Sequence, residues 1–283
     1  MSFSFDRKNF LKAAVTAAVS ASVLVLAACA PAAPAADAGS LPTVTAGKLT
    51  IGTGNPAYEP WVVGDAPESG EGYEAAVAYA VAEELGFAPE DVVWVRTSFD
   101  EAIAPGVKNF DFNLQQYSIT DDRKKSVDFS SPYYETAQTV ITIKGSKAAT
   151  AKTLADLKGL TIGAATGTTS FDAIEQVIKP TNAALAFNNN DDAKAALSAG
   201  QVDAIVVDLP TAFYLTAVEL DGGLIVGQLE GATAGDQFGL VLDKGSKLTA
   251  KVSAAVDALK ANGTLKKLSD KWLAGFAGAP VLK

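Results

Sequence analysis

From Gly47 onward the sequence predicts an α/β fold built on mostly parallel sheets, and three observations predict it. Short apolar runs alternate with longer helical patterns. Each repeat has about the length of a βα unit. The chain's 283 residues with a single cysteine suit one large domain or two modest ones whose core needs no covalent staples. In order, Lys48 to Gly52 reads as a strand, Tyr73 to Leu85 as an amphipathic helix closed by Gly86, and Val92 to Arg96 as a strand. Phe99 to Val107 reads as a helix despite Pro105-Gly106, Phe110 to Gln115 as a strand, and Ala137 to Ile143 as a β-rich run. The pattern restarts at Lys144-Gly145-Ser146, and a second block follows over roughly 144–232. It holds helices at 153–158, 170–178, 192–198 and 209–220, and strands at 161–165 and 204–207. A strand at Phe238 to Leu242 and helices at Leu248 to Ala261 and Thr264 to Leu273 complete the chain, and periodicity alone does not assign this tail to either block.

The first forty residues follow other rules. Arg7, Lys8 and Lys12 precede an uncharged run from Ala13 to Ala28, short for a bilayer span of about 20 residues. The run ends in Leu26-Ala27-Ala28-Cys29, which resembles a bacterial lipobox and makes Cys29 the lipid attachment point. Residues 1–28 are then a lipoprotein signal peptide and 29–46 a flexible tether rich in Ala, Pro and Gly. Asp6 to Lys12 resembles a twin-arginine export signal with Lys in the second Arg place, so ordinary Sec export is expected. Without residues 1–28 the chain keeps 20 basic against 31 acidic residues, a charge of −11 in place of −9.

Composition also excludes chemistry. With no histidine there is no Ser-His-Asp or Cys-His nucleophile system and no His-ligated zinc. One cysteine forms no internal disulfide, and no metal or cofactor is expected. The acidic balance, with no basic block beyond Lys124-Lys125, argues against nucleic acid as a partner.

Four segments then carry a family resemblance: GKLTIGTGNPAYEPW (47–61), DFNLQQYSITDDRKKSVDFSSPYYET (111–136), TLADLKGLTIGAATGTTS (153–170) and QVDAIVVD (201–208). Together with ANGTLKKLSDKWL (261–273), they resemble the amino-acid-binding extracytoplasmic solute-binding proteins of ABC importers, family 3. The resemblance implies a type II periplasmic-binding-protein fold with two α/β lobes, two crossover hinge strands and a ligand cleft between the lobes. It divides the chain into 47–139 (first lobe), 140–234 (second lobe) and 235–283 (completion of the first). It also implies a monomer that captures an amino acid, closes around it and is read by membrane permease subunits, lipid-anchored on the outer side of the membrane.

Residue by residue, the resemblance gives Arg123 the ligand α-carboxylate, for which a planar guanidinium fork is suited. Thr168 and Thr169, at a helix start after Gly167, face the same carboxylate, Asp208 accepts the α-ammonium, and Ser118 accepts a second ammonium hydrogen bond. Tyr58 and Phe99 offer ring surfaces to the aliphatic part, with Asn55 in the same loop as Tyr58. Read locally, Arg123 is a solvated charge among its neighbours, Thr169 and Asp208 are helix N-caps, Ser118 is a turn residue, and Phe99 is core. Gln116, beside Gln115, stands where small residues are common in the family. Its amide would shrink the pocket, which with an amide at Asn55 points to a polar, uncharged or smallish ligand. No catalytic group is expected. A dehydratase-like enzyme of the same fold and a ligand-sensing protein are the alternatives. The former lacks any recognisable acid pair among Glu59, Asp121 and Asp208, and the latter needs a membrane link to an output module. Because ordinary pKa values of these side chains lie far from neutrality, binding is expected to vary little between about pH 6 and 8.

Overall fold

The computed structural model describes residues 41–229, 236–273 and 278–283. Cys29, the signal peptide and residues 29–40 of the expected tether lie outside them. The first sheet holds β1 (Leu49–Thr53), β2 (Val92–Arg96), β3 (Phe112–Asn113) and β4 (Val127–Phe129). β5 (Tyr134–Thr136) leads out of it into β6 (Gln138–Ile143) of a second sheet, with β7 (Ile162–Ala165), β8 (Leu185–Phe187), β9 (Ala204–Asp208) and β10 (Gly223–Leu229). β11 (Asp236–Phe238) and β12 (Val241–Asp243) come back, and β13 (Val281–Leu282) ends the chain. Spatial orders are β2-β1-β3-β12-β4 and β13-β10-β6-β9-β7-β8, and β11 with β5 forms an antiparallel ribbon between the sheets. The chain thus crosses between two α/β lobes along two segments, the architecture of a two-lobed type II binding-protein fold.

The sheets are mixed rather than mostly parallel. β1 is parallel to β2 and β3, and β7 to β8 and β9, but the crossing strands set the direction of their neighbours. β6 runs antiparallel to both β9 and β10, and β12 to β3 and β4. The helices are α1 (Tyr73–Glu84), α2 (Phe99–Ile103), α3 (Leu154–Leu157), α4 (Thr169–Ala173), α5 (Asn190–Ser198), α6 (Leu209–Tyr214), α7 (Thr249–Ala261) and α8 (Thr264–Trp272). α4 and α6 each run on into a π-turn, at Ile174–Ile178 and Leu215–Glu219.

Helix α2 ends four residues before the expected Val107. A capping box between Ser98 and Glu101 starts it, and Pro105 holds the preceding Ala104 in extended conformation, φ −62° and ψ 152°. The single strand expected at 238–242 divides into β11 and β12 around Gly239, where a Cβ would stand 2.9 Å from the Ile119 side chain. β10 escapes the sequence reading because of its glycines. A Cβ on Gly223 would lie 2.6 Å from the Thr216 Cα, and one on Gly227 2.7 Å from the Pro280 carbonyl oxygen.

In the first lobe, Val77 and Val81 of α1 share a core with Val252, Val256 and Leu259 of α7 and with Leu265 of α8, so the late helices close this lobe. Each such side chain withdrawn from water contributes about 1.5–3 kcal/mol. The chain end departs from the expected division, since β13 pairs with β10 in the second sheet. Residues 41–46, expected as tether, are also docked. Leu41 is buried in the first core, and the Val44 N–H donates to Asp111 Oδ1 at 2.8 Å, while Asp111 Oδ2 accepts the Thr50 N–H at 2.7 Å.

Candidate ligand-binding site

A cavity of about 240 Å³ lies between the lobes. Its walls come from loops that follow the parallel strands: the β1–α1 loop with Asn55 and Tyr58, Ser98-Phe99 after β2, and Gln115-Gln116 after β3. The second lobe supplies Ala165 to Ser170 after β7, Asn188 to Asn190 after β8, and Val207-Asp208 at the end of β9. Loops at the carboxyl ends of strands are where α/β folds hold ligands. Asn55, Tyr58, Phe99, Gln116, Arg123, Thr168, Thr169 and Asp208 all line the cavity. Ser118 does not: it is buried behind the wall, its carbonyl accepting from Arg123 and its Oγ 3.1 Å from Thr169 Oγ1.

Arg123 belongs to both lobes. Its Nη1 donates to the Ser118 carbonyl at 2.7 Å and its Nη2 to the Gly167 carbonyl at 2.9 Å, and the guanidinium carbon lies 5.3 Å from the centre of the Phe99 ring. Phe99 in turn stacks on Tyr117 at 4.5 Å. Burial draws the Arg123 pKa down from its ordinary value, which raises the benefit of an anionic partner. Thr168, not Thr169, caps α4: its Oγ1 accepts the Phe171 N–H at 3.2 Å and donates to the Ala165 carbonyl at 2.7 Å. Thr169 is released for other work and donates to Asp236 Oδ2 at 2.7 Å.

Asp208 stands at the N-cap of α6 but makes no side-chain capping bond. Its Oδ1 accepts instead from Gln138 Nε2 at 2.9 Å, and the same amide nitrogen lies 2.5 Å from Asp236 Oδ2. Ser170 Oγ donates to Gln138 Oε1 at 2.6 Å and so fixes that amide's orientation. Burial, with the Asp236 charge behind it, pushes Asp208 up to about 8.

Sequence reasoning missed Glu74 and Gln138. Glu74 lies on α1 among the buried Tyr73, Ala75, Val77 and Ala78, and is itself only 2% exposed. Its Oε1 accepts the Gln116 N–H at 2.8 Å and the Tyr133 hydroxyl, and its Oε2 accepts the Gln116 side-chain amide. Burial pushes it up to about 7 against those donors. An acid on the apolar face of α1 was the available signal. Gln116 has φ +53°, a left-handed conformation that costs a non-glycine residue about 1–3 kcal/mol and explains why small residues suit the position. Both of its nitrogens are bonded to Glu74, so the amide lies along the wall. Burial thus brings Glu74 and Asp208 close to neutrality, where their reference values do not place them, so binding that varies between about pH 6 and 8 becomes the expectation.

A cleft between two lobes, bridged by an arginine and lined by carboxylates, fits a solute-binding protein. The chain belongs to the bacterial extracellular solute-binding proteins, family 3, whose sequence profile matches residues 49–275. It is 33% identical over 241 residues to the L-arginine-binding protein of Pseudomonas aeruginosa, covering 82% of this chain and 91% of that one. To the L-cystine-binding protein TcyJ of Escherichia coli K12 it is 30% identical over 214 residues, 75% and 76% of the two chains. An ancestral arginine-binding protein bound to arginine superposes with a TM-score of 0.67 at 33% identity, over 80% of this chain and 97% of that one. Membership in this family makes the chain a solute-binding protein.

Proposed function

We propose that Arg123 receives the ligand α-carboxylate, with Thr168 and Thr169 beside it, and that Asp208 receives the α-ammonium. The observation that carries this reading is the guanidinium held by carbonyls of both lobes, which binds an anion only where the lobes meet. Tyr58 and Phe99 flank the aliphatic part, and each methylene removed from water there contributes about 0.8 kcal/mol. Hinge bending along the two crossing segments opens and closes the cleft, and the closed form is what permease subunits read. Lobe boundaries near 139 and 234, a monomeric state and lipid attachment at Cys29 on the outer side of the membrane belong to the same proposal. Relatives named for arginine, cystine and glutamine binding support a binding role without turnover.

Thermal melts with a panel of amino acids test it. A ligand at about 100 times its Kd adds roughly 2.7 kcal/mol. Arg123→Ala and Asp208→Ala should each abolish the shift, whereas no shift with any amino acid, or shifts intact in both variants, would refute the assignment. For the anchor, Cys29→Ala should move the protein to the soluble fraction, and continued membrane association would refute it.

A further inference from the structure

The charges around the cavity do not balance for a ligand that is neutral overall. Among the described lining residues Arg123 is the one cation, against the carboxyl groups of Glu74 and Asp208. Buried charges are stable only when paired. A zwitterion's carboxylate answers Arg123 and its ammonium answers Asp208, which leaves Glu74 without a cation. None of the ion pairs among the described residues includes it.

Among the described residues its surroundings supply hydrogen bonds but no ion-pair partner. Tyr73 on its own helix and Tyr133 ahead of β5 are held protonated by burial, Tyr117 packs near it from the segment after β3, and the charge facing it from β9 is Asp208. Among the described residues Glu74 Oε1 already has two donors, whereas Oε2 has the Gln116 amide alone and keeps acceptor capacity. Further acids gather around Tyr58 at another part of the wall. Asp191, Asp192 and Glu219 act on it, and the nearby Lys194 is already bridged to Asp191 and Glu219.

We propose that Glu74 determines specificity, selecting amino acids whose side chain carries a second positive charge, a guanidinium or an ammonium. The proposal rests on the amino-acid-binding reading above and replaces the uncharged ligand expected from Asn55 and Gln116. Gln116 enters as the positioning residue, since its two nitrogens hold the carboxylate against the wall. With burial keeping Glu74 near 7, much of it carries a proton in the empty cavity at neutral pH. The incoming cation takes that proton's place, and the proton leaves to solvent.

Calorimetry on the full chain at pH 7, with L-arginine, L-lysine, L-glutamine and L-alanine in two buffers of different ionisation heat, tests this. Arginine or lysine should bind at least ten-fold more tightly than glutamine and release more protons. In Glu74→Gln that affinity ratio should fall at least ten-fold. A neutral amino acid binding as tightly as the cationic ones, equal proton release, or an unchanged ratio in Glu74→Gln would overturn the proposal and leave the amino-acid-binding reading standing. If none of the ligands binds, that reading fails and takes this one with it. Should Glu74→Gln fail to fold, the ranking and the proton count on the unmodified protein decide.

Discussion

The indole Nε1 of Trp61, in the first lobe, donates to Thr211 Oγ1 at the start of α6, in the second, at 2.9 Å, and both residues are buried. A bond of this kind can form only when the lobes are together. In Thr211→Val the indole N–H loses its acceptor in the closed form, at a cost of about 1–3 kcal/mol, while in an open cleft water would satisfy it. Ligand affinity measured by calorimetry should therefore fall at least about five-fold with little change in the ligand-free melt. Unchanged affinity would mean that closure does not depend on this contact.

Stability of the ligand-free protein should decline as pH rises from 6 to 8. Glu74 and Asp208 are raised from 4.5 and 3.8 to about 7 and about 8. The folded protein thus holds protons that the unfolded chain has lost, and stability from this source falls as pH passes through the raised values. The chain has no histidine to compete in that window. Urea titrations at pH 6 and 8 should differ by about 1 kcal/mol or more, since a ten-fold difference in proton affinity between the folded and unfolded chain is worth about 1.4 kcal/mol. Equal midpoints would contradict the burial of these acids.

Affinity should move the opposite way, because on the proposed assignment the ligand ammonium pairs with Asp208 only after that acid ionises. Between pH 6 and 8 the Kd for a bound amino acid should tighten by up to about ten-fold per pH unit. A flat profile would point to an Asp208 already charged before the ligand arrives.

Replacing Gln116 by Gly and by Ala separates backbone from side chain. Both remove the amide from Glu74, but only glycine accepts φ +53° freely. Urea unfolding should place the Gly variant about 1 kcal/mol above the Ala variant. The reverse order would mean that the backbone there relaxes without cost.

Gly72→Ala should be among the more damaging small substitutions in the first lobe. At φ +101° a Cβ would stand 2.4 Å from the Trp61 carbonyl oxygen, which also accepts the Glu74 N–H at 2.9 Å. Strain and crowding together should cost about 3 kcal/mol in a denaturant melt. A loss under 1 kcal/mol would mean that the turn before α1 shifts easily.

Much of the fold was legible because periodicity survives wherever an element buries one face. Helix α1 and strand β2 fall within a residue of their expected bounds. What escaped were β4, β5, β8, β10 and β13, short or glycine-bearing strands whose existence depends on partners far along the chain. At the site, motif positions led to eight of the cavity's lining residues, but local pattern could not reveal Glu74. On an amphipathic helix an acid at position 74 reads as solvent-facing until tertiary packing turns that face inward. Gln138 was hidden for a related reason, being the first residue of a strand whose role becomes clear only when β9 and β11 lie beside it.

The two halves of the cavity are assembled differently. Gln138 and Asp208 are register partners on adjacent strands of one sheet, so their contact persists however far the lobes swing apart. Arg123 reaches Gly167 only when the lobes meet. Arg123 nevertheless keeps its bond to the Ser118 carbonyl within the first lobe, so on the proposed assignment each lobe carries one pole of the site before closure, and a solute long enough to touch both poles is what holds the lobes together.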